Sequence, residues 1–468
     1  MNPHPAGCIC ALAIAIALVP SLPGVAAAAP AVTNHEDGST VRYPVVLLRG
    51  TTDPGTATLE LRNTATDNDP ADSYSLVHDG RFKSLVKLAP GENTIGLRTG
   101  PGGPATTLHL TYQPPTNPHY VRLIWMTDRS GDTTYATPAD DIPQDYAARL
   151  RTAALLMQTF TAERFHDLGY PRQTFSLETD KSGDPIIHTL KAPESADHYY
   201  NMENDQAWWG SVHRWLDEQQ PDPMAKNLVL AAFTRKDSET GRMRAHTALG
   251  GGRLGLFGSG SVFSWPASIA EAATVFMDGT MVDPARVHDD SAGRGTIWGL
   301  ASTTIGATLH EMGHTFDLPH CKDSLCIMTR GFDRFNRVFT FADPPSRTGL
   351  RGADFSAADE AYFAPISASY LRWSRWFQPD RTRYRNDDPP EITWDARAGA
   401  VTVTSRLGVR WVGLWTGSEV AAYLDFPESA AKEVELSRDE ISALLEGAAP
   451  SAVTAIADNG RSARISIP

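Results

Sequence analysis

The stretch His310-Glu311-Met312-Gly313-His314-Thr315-Phe316-Asp317-Leu318-Pro319-His320 decides how the rest of the chain is read. His310 and His314 stand one helical turn apart, so on a helix both imidazoles leave the same face. Two neutral ring nitrogens so placed can share one metal ion, and zinc is the usual ion for such a pair. Glu311 follows the first histidine, where its carboxylate can act as general base toward a water activated by the ion. Pro319 cannot continue a helix, so the chain turns near Asp317 and can return His320 as a third ligand. Three protein nitrogens leave a fourth position open, which is the catalytic arrangement and not the closed structural one. The expected metal ligands are therefore His310, His314 and His320 around Zn2+, with Glu311 as the catalytic base.

These residues resemble the metzincin zinc-peptidase motif, in which a methionine-containing turn follows the third histidine. Asp317 stands where those families carry Gly in a left-handed conformation, and Asp is among the few residues that tolerate it. Its carboxylate is also a possible competing ligand. In Cys326-Ile327-Met328-Thr329-Arg330-Gly331-Phe332-Asp333, Met328 is either the methionine of that turn or an ordinary core residue. His320-Cys321 followed by Cys326-Ile327-Met328 is similar to half of the archaemetzincin pattern. The second cysteine pair of that pattern is missing, and with it the extra structural zinc. Gly250-Gly251-Gly252, Ser264-Trp265-Pro266, the histidine motif and Arg330 to Asp333 together look most like a zinc metallopeptidase family described from fungi. The resemblance covers roughly residues 119 to 380 and implies a peptidase acting on a peptide or protein substrate.

At 468 residues the chain exceeds what one core usually organises, and two or three domains are expected. A composition of 41% hydrophobic and 21% charged residues is ordinary for a globular protein. The formal charge of −13 argues against nucleic acid or an anionic membrane surface as partner. No segment after the N-terminal apolar run is long enough to span a bilayer, and no feature assigns an oligomeric state. Ala11 to Val19, Pro20 and the small residues Ala26 to Ala29 read as a signal peptide over residues 1–29, placing the mature protein outside the cell or in a periplasm. Cys8 and Cys10 would leave with it. Cys321 and Cys326 would remain, either as a disulfide that braces the third ligand or as free thiols.

The fold expected is an α+β metzincin-like zinc peptidase domain flanked by an N-terminal β-sandwich and a small C-terminal β module. Residues 33–115 carry short alternating runs such as Phe82 to Leu88 and Thr107 to Tyr112, broken by turn chemistry at Ala89-Pro90-Gly91. They resemble an immunoglobulin-like accessory module and suggest a spacer or binding role. Gln113 to Pro118 reads as a linker into the peptidase domain, residues 119–385. There Tyr120 to Met126 reads as a buried strand, and Tyr146, Leu150, Met157 and Phe160 form an apolar helical stripe. The glycine run from Gly250 is either a cleft-edge strand that admits a substrate backbone or a turn cluster. It lacks the ending of a phosphate loop.

His213, His246 and His288 each lack a sequence partner and read as solvated or core residues. Asp278, Asp283, Asp289 and Asp290 crowd one loop without EF-hand spacing. Ser356 is expected to open a helix that ends or kinks at Pro365. Tyr362 and Tyr370 are candidates for steadying an oxyanion. In the β-rich module 388–468, Ser437 to Glu440 is a capping box, while Trp394, Trp411 and Trp415 are either core or a carbohydrate surface. Two functions fit: a secreted zinc endopeptidase, or a cell-surface carbohydrate- or protein-binding protein with a vestigial zinc site.

Overall fold

The computed structural model describes residues 28–66, 69–237, 239–384 and 386–468. The expected signal segment therefore lies almost wholly outside the described residues, together with Cys8 and Cys10. No helix among the described residues is long and apolar enough to cross a membrane.

A five-stranded sheet sits at the centre, in the order Ile187–Lys191, Tyr120–Thr127, Ala225–Ala231, Leu254–Gly258, Ala248–Gly251. The first four strands run parallel and the last is antiparallel to its neighbour. Parallel strands covered on both faces must be apolar on both, and the inner ones are, whereas the edge strand Ile187–Lys191 is partly exposed. Leu123, Trp125, Leu228 and Leu230 point into one core, and Ile124, Met126, Val229 and Ala231 into the opposite one. The helix Asp205–Gln219 closes the second face through Trp208, Val212 and Leu216. The helices Tyr146–Asp167 and Ile297–Thr315 close the first.

The helix Ile297–Thr315 carries the histidine pair, and all its residues except Ile297 and His314 are buried. Immersion of this kind requires a sequence with few polar groups left to satisfy. Thr304 and Thr308 meet the condition by donating their hydroxyls back to the carbonyls of Leu300 and Thr304, at 2.8 and 2.7 Å. Thr296 caps the start by accepting from the Gly299 amide.

Residues 31–112 form two four-stranded sheets around a shared core that includes Val46, Leu48, Phe82 and Leu110. A spacer would keep to itself, but Val45, Leu47, Tyr74 and Leu85 instead join the core of the central domain. This explains why the helix Tyr146–Asp167 is buried nearly all round where the sequence suggests a single stripe. The expected linker is also tied down. The Thr116 amide donates to Pro379 and the Asn117 side chain to Arg375, both at 2.9 Å.

A buried carboxylate joins these bodies. Glu360 meets Lys83 of the N-terminal sheets at 2.7 Å, Arg164 of the first long helix at 2.8 Å and Arg49 at 3.7 Å. Burial alone would raise its pKa, but the three cations outweigh that and hold it below the usual carboxylate range.

The C-terminal residues build a six-stranded sheet around one long strand, Ala400–Thr416. Its register shifts between Thr404 and Val409, where Gly408 takes a φ of +105°, so one strand serves partners on either side of the break. Trp411 and Ile456 join the central core, so this module too is fused to its neighbour. Ser437 and Glu440 form the capping box of the helix Arg438–Leu444. The expectation at Pro365 requires correction. Only a three-residue turn, Ala357–Asp359, follows Ser356, and Pro365 begins the helix Pro365–Trp373. At the first helical position its missing N–H has no intrahelical partner to lose.

Removing the charge of Glu360 leaves three cations, of which Lys83 and Arg164 are buried, without their shared anion. Glu360→Gln should lower unfolding stability by about 3 kcal/mol, measured in urea. Because the folded pKa is depressed, the contribution is present at neutral pH and is lost as the pH falls below the ordinary carboxylate range, about 4.3. Equal acid sensitivity in the variant and the parent protein would contradict this account.

Candidate active site

The helix Ile297–Thr315 presents His310 and His314 on one face, and the chain then turns back. Asp317 makes the turn with a φ of +66°, the left-handed conformation usually reserved for glycine. The turn brings His320 to the pair. The Nε2 atoms of His310 and His314 are 3.1 Å apart, those of His314 and His320 3.2 Å, and those of His320 and His310 3.3 Å. Three lone pairs so arranged repel unless something positive lies between them. Nitrogens around a tetrahedral zinc stand about 3.3 Å apart, so the spacing fits the ion without rearrangement.

The opposite ring nitrogens are fixed by the backbone. His310 Nδ1 faces the Ile327 carbonyl at 2.8 Å and His314 Nδ1 the Leu318 carbonyl at 2.9 Å. Each carbonyl selects the tautomer whose Nδ1 carries the proton, which frees Nε2 for a metal. Burial, and then the neighbouring His314, push His310 down to about 3, so it is neutral and ready to ligate. Burial also lowers His314.

Residues 326–329 form the floor. The Ile327 amide donates to Tyr362 at 2.8 Å and its carbonyl receives His310, so one residue links two segments. Met328 is fully buried, and its sulfur lies where a Cβ on Gly313 would fall, 2.4 Å away. It therefore packs directly beneath the helix that carries His310 and His314. Cys321 and Cys326 form a disulfide, and Thr329 donates to the Cys321 carbonyl, tying the neighbour of His320 to the floor.

Glu311 points toward the sheet edge. The strand Ala248–Gly251 crosses the helix so closely that a Cβ on Gly250 would fall 2.0 Å from the Glu311 carbonyl oxygen. The glycine run is thus a strand and not a turn cluster, and glycine is required for that approach. Burial pushes the Glu311 carboxyl up to about 7, partly offset by a hydrogen bond from the Gly250 backbone. A cation between the histidines would oppose that rise.

Several contributors carry no local sequence signal. Lys226, on a central strand, donates to the carbonyls of Thr315 and Gly252 and so caps the C-terminal end of the active helix. Asp317 accepts from Tyr370 at 3.4 Å and lies outside the ligand cluster. The Tyr362 hydroxyl is engaged by Asp323 at 2.7 Å. Beside His320 opens a cavity of about 510 Å³, walled by Asp317, Tyr370, Trp411, Trp415 and Arg464. Trp411 and Trp415 are largely buried yet edge this cavity, and Arg464 lies 3.7 Å over the Trp415 ring. Trp394 is not among the cavity residues.

A family model described as "Putative peptidase family" matches residues 29–409. The chain belongs to that family. A putative zinc metalloproteinase of Schizosaccharomyces pombe is 28% identical over 393 residues, covering 79% of this chain and 63% of that protein. Another of Saccharomyces cerevisiae is 28% identical over 313 residues, covering 59% of this chain and 44% of its own. The chain therefore spans less than two thirds of the length of these curated relatives. The resemblance read from the sequence to a fungal metallopeptidase family is thus confirmed, and zinc is the ion that both the donor set and the relatives' names indicate. Among solved structures, catalytically inactive OgpA from Akkermansia muciniphila, determined with an O-glycopeptide, aligns with a TM-score of 0.44 and 16% identity. The alignment covers 75% of this chain and 92% of that one.

Gly250→Ala should force the edge strand and the active helix apart. Overpacking of this kind costs about 1–3 kcal/mol, read as a lower midpoint in thermal unfolding. An unchanged midpoint would show that the strand approaches less closely than described.

Proposed function

We propose that the protein is a secreted zinc-dependent endopeptidase in which Glu311 is the general base. The observation that carries this reading is the convergence of three Nε2 atoms at the end of the helix that also carries the buried Glu311. Family membership supports the reaction class, and the metzincin-like order of strand, active helix, third histidine and methionine floor supports the finer assignment. The Cys321–Cys326 disulfide supports residence in an oxidising compartment.

His310, His314 and His320 would hold the ion, with His310 and His314 oriented by the Ile327 and Leu318 carbonyls. Zinc so held supplies a Lewis acid and brings the pKa of water toward neutrality. The remaining steps belong to the chain. Ala248–Gly251 is the outermost strand of its sheet, and an extended peptide pairs with it through main-chain hydrogen bonds. This lays the scissile bond across the helix at Glu311. The Glu311 carboxylate takes a proton from the attacking water as the carbon–oxygen bond forms, and passes it to the amide nitrogen as the carbon–nitrogen bond breaks. The cavity beside His320 receives a substrate side chain, with aromatic walls for apolar contact and Asp317 and Arg464 for polar contact.

Glu311→Gln keeps the size of the side chain and removes the proton acceptor. Hydrolysis of a peptide library should fall by a factor of about a hundred to ten thousand, with zinc content unchanged. Parental activity in that variant would remove Glu311 from the mechanism. A chelator-insensitive parent enzyme would remove the metal.

A further inference from the structure

A second cluster of metal-binding groups lies away from the three histidines already described. His246, His288 and Asp290 each offer a ligand atom, and the three atoms lie within 4.8 Å of one another. His246 precedes the edge strand Ala248–Gly251 by two residues, and His288 and Asp290 sit in the loop that leads into the active helix. More than forty residues of chain separate them, so the fold and not local spacing brings them together. The sequence offers neither histidine a partner, and the fold sets the two rings side by side.

We infer that His246, His288 and Asp290 form a second divalent-metal site, taking a first-row ion of the zinc class. The imidazole rings lie 4.7 Å apart between centroids and are inclined at 63°, an edge-on arrangement that leaves ring nitrogens free to converge. His246 Nδ1 is buried without a hydrogen-bond partner, in the direction of Gly258. Its Nε2 faces Asp290 Oδ2 at 3.7 Å. That gap is too long for a direct hydrogen bond, whose N···O distance is about 2.7–3.2 Å. It falls within the roughly 3–4 Å that separates two ligands of one ion with bonds near 2.1 Å.

An ordinary ion pair between His246 and Asp290 is the competing account. Burial disfavours the protonated ring, and His288 opposes it further, whereas a neutral imidazole is the form that ligates. Two imidazoles and one carboxylate select zinc-class ions over calcium or magnesium, which prefer all-oxygen shells. The surrounding field agrees in sign. Asp205 acts on His246 and Asp289 on His288, both favouring positive charge, with Lys236 opposing at His288.

An ion here would pin the loop before the active helix to the root of the strand whose Gly250 rests on Glu311. The site is thus a brace for the cleft edge, distinct from the ion held by the three motif histidines. It does not depend on the protein being a peptidase.

The test is metal stoichiometry on the full chain. Protein stripped with chelator, reloaded with Zn2+ and desalted into metal-free buffer is assayed by elemental analysis. The wild type should retain two equivalents, and His288→Ala and the conservative Asp290→Asn one each. A His310→Ala/His314→Ala double variant should also retain one, held by the second cluster. Cobalt substitution gives an independent readout: the visible absorption of the second equivalent should vanish in Asp290→Asn, a variant that leaves the buried imidazoles in place. One equivalent in the wild type, or two in both single variants, would overturn the proposal.

Discussion

The structure depends on how closely a backbone can approach the active helix. On one side the strand at Gly250 touches the Glu311 carbonyl, and beneath, Met328 occupies the space a side chain at Gly313 would need. Both contacts exist because there is no Cβ: on the strand side main chain meets main chain, which has no rotamer to change, and beneath, a buried methionine side chain fills the space left by Gly313. A helix held in this way transmits little freedom to the groups it carries. The imidazoles of His310 and His314 inherit that rigidity, which holds their Nε2 atoms 3.1 Å apart.

The second layer of control is electrical and comes from carbonyl groups. Ile327 and Leu318 each direct an oxygen at Nδ1 of a motif histidine, so the proton is assigned to that nitrogen and Nε2 is left with its lone pair. Lys226 acts at the helix C-terminus, where carbonyls that have run out of helical partners gather. Its position on the central strand makes the sheet, and not the helix, the source of that cap. Polar demand inside the core is thus met by groups from distant parts of the chain, consistent with cores that run continuously from the N-terminal sheets to the C-terminal one.

How much of this was legible in the sequence follows from the range of each interaction. The histidine spacing, the turn at Asp317 and the methionine floor are local, and the residues that make them lie within twenty positions. Their geometry could be read because helix periodicity and backbone conformational limits act at short range. His246 and His288 could not be paired, because more than forty residues of chain, including two strands and a helix, separate them and no periodicity crosses it. Pro365 was misread for a different reason. Proline stops a helix that precedes it and starts one that follows, and the sequence alone does not say on which side the helix lies. The N-terminal sheets were expected to stand apart, since alternation reports a buried face without reporting what buries it.

The cavity beside His320 draws one wall from the central domain and another from the C-terminal sheet. Ligand geometry is set by the first of these bodies, whereas Trp411, Trp415 and Arg464 belong to the second. A lineage can therefore retune that wall by altering strands some ninety residues and more downstream, leaving the imidazoles and their carbonyl supports untouched. Under the proposed function, chemistry and selectivity are carried on different parts of the chain, so either can change while the other is kept.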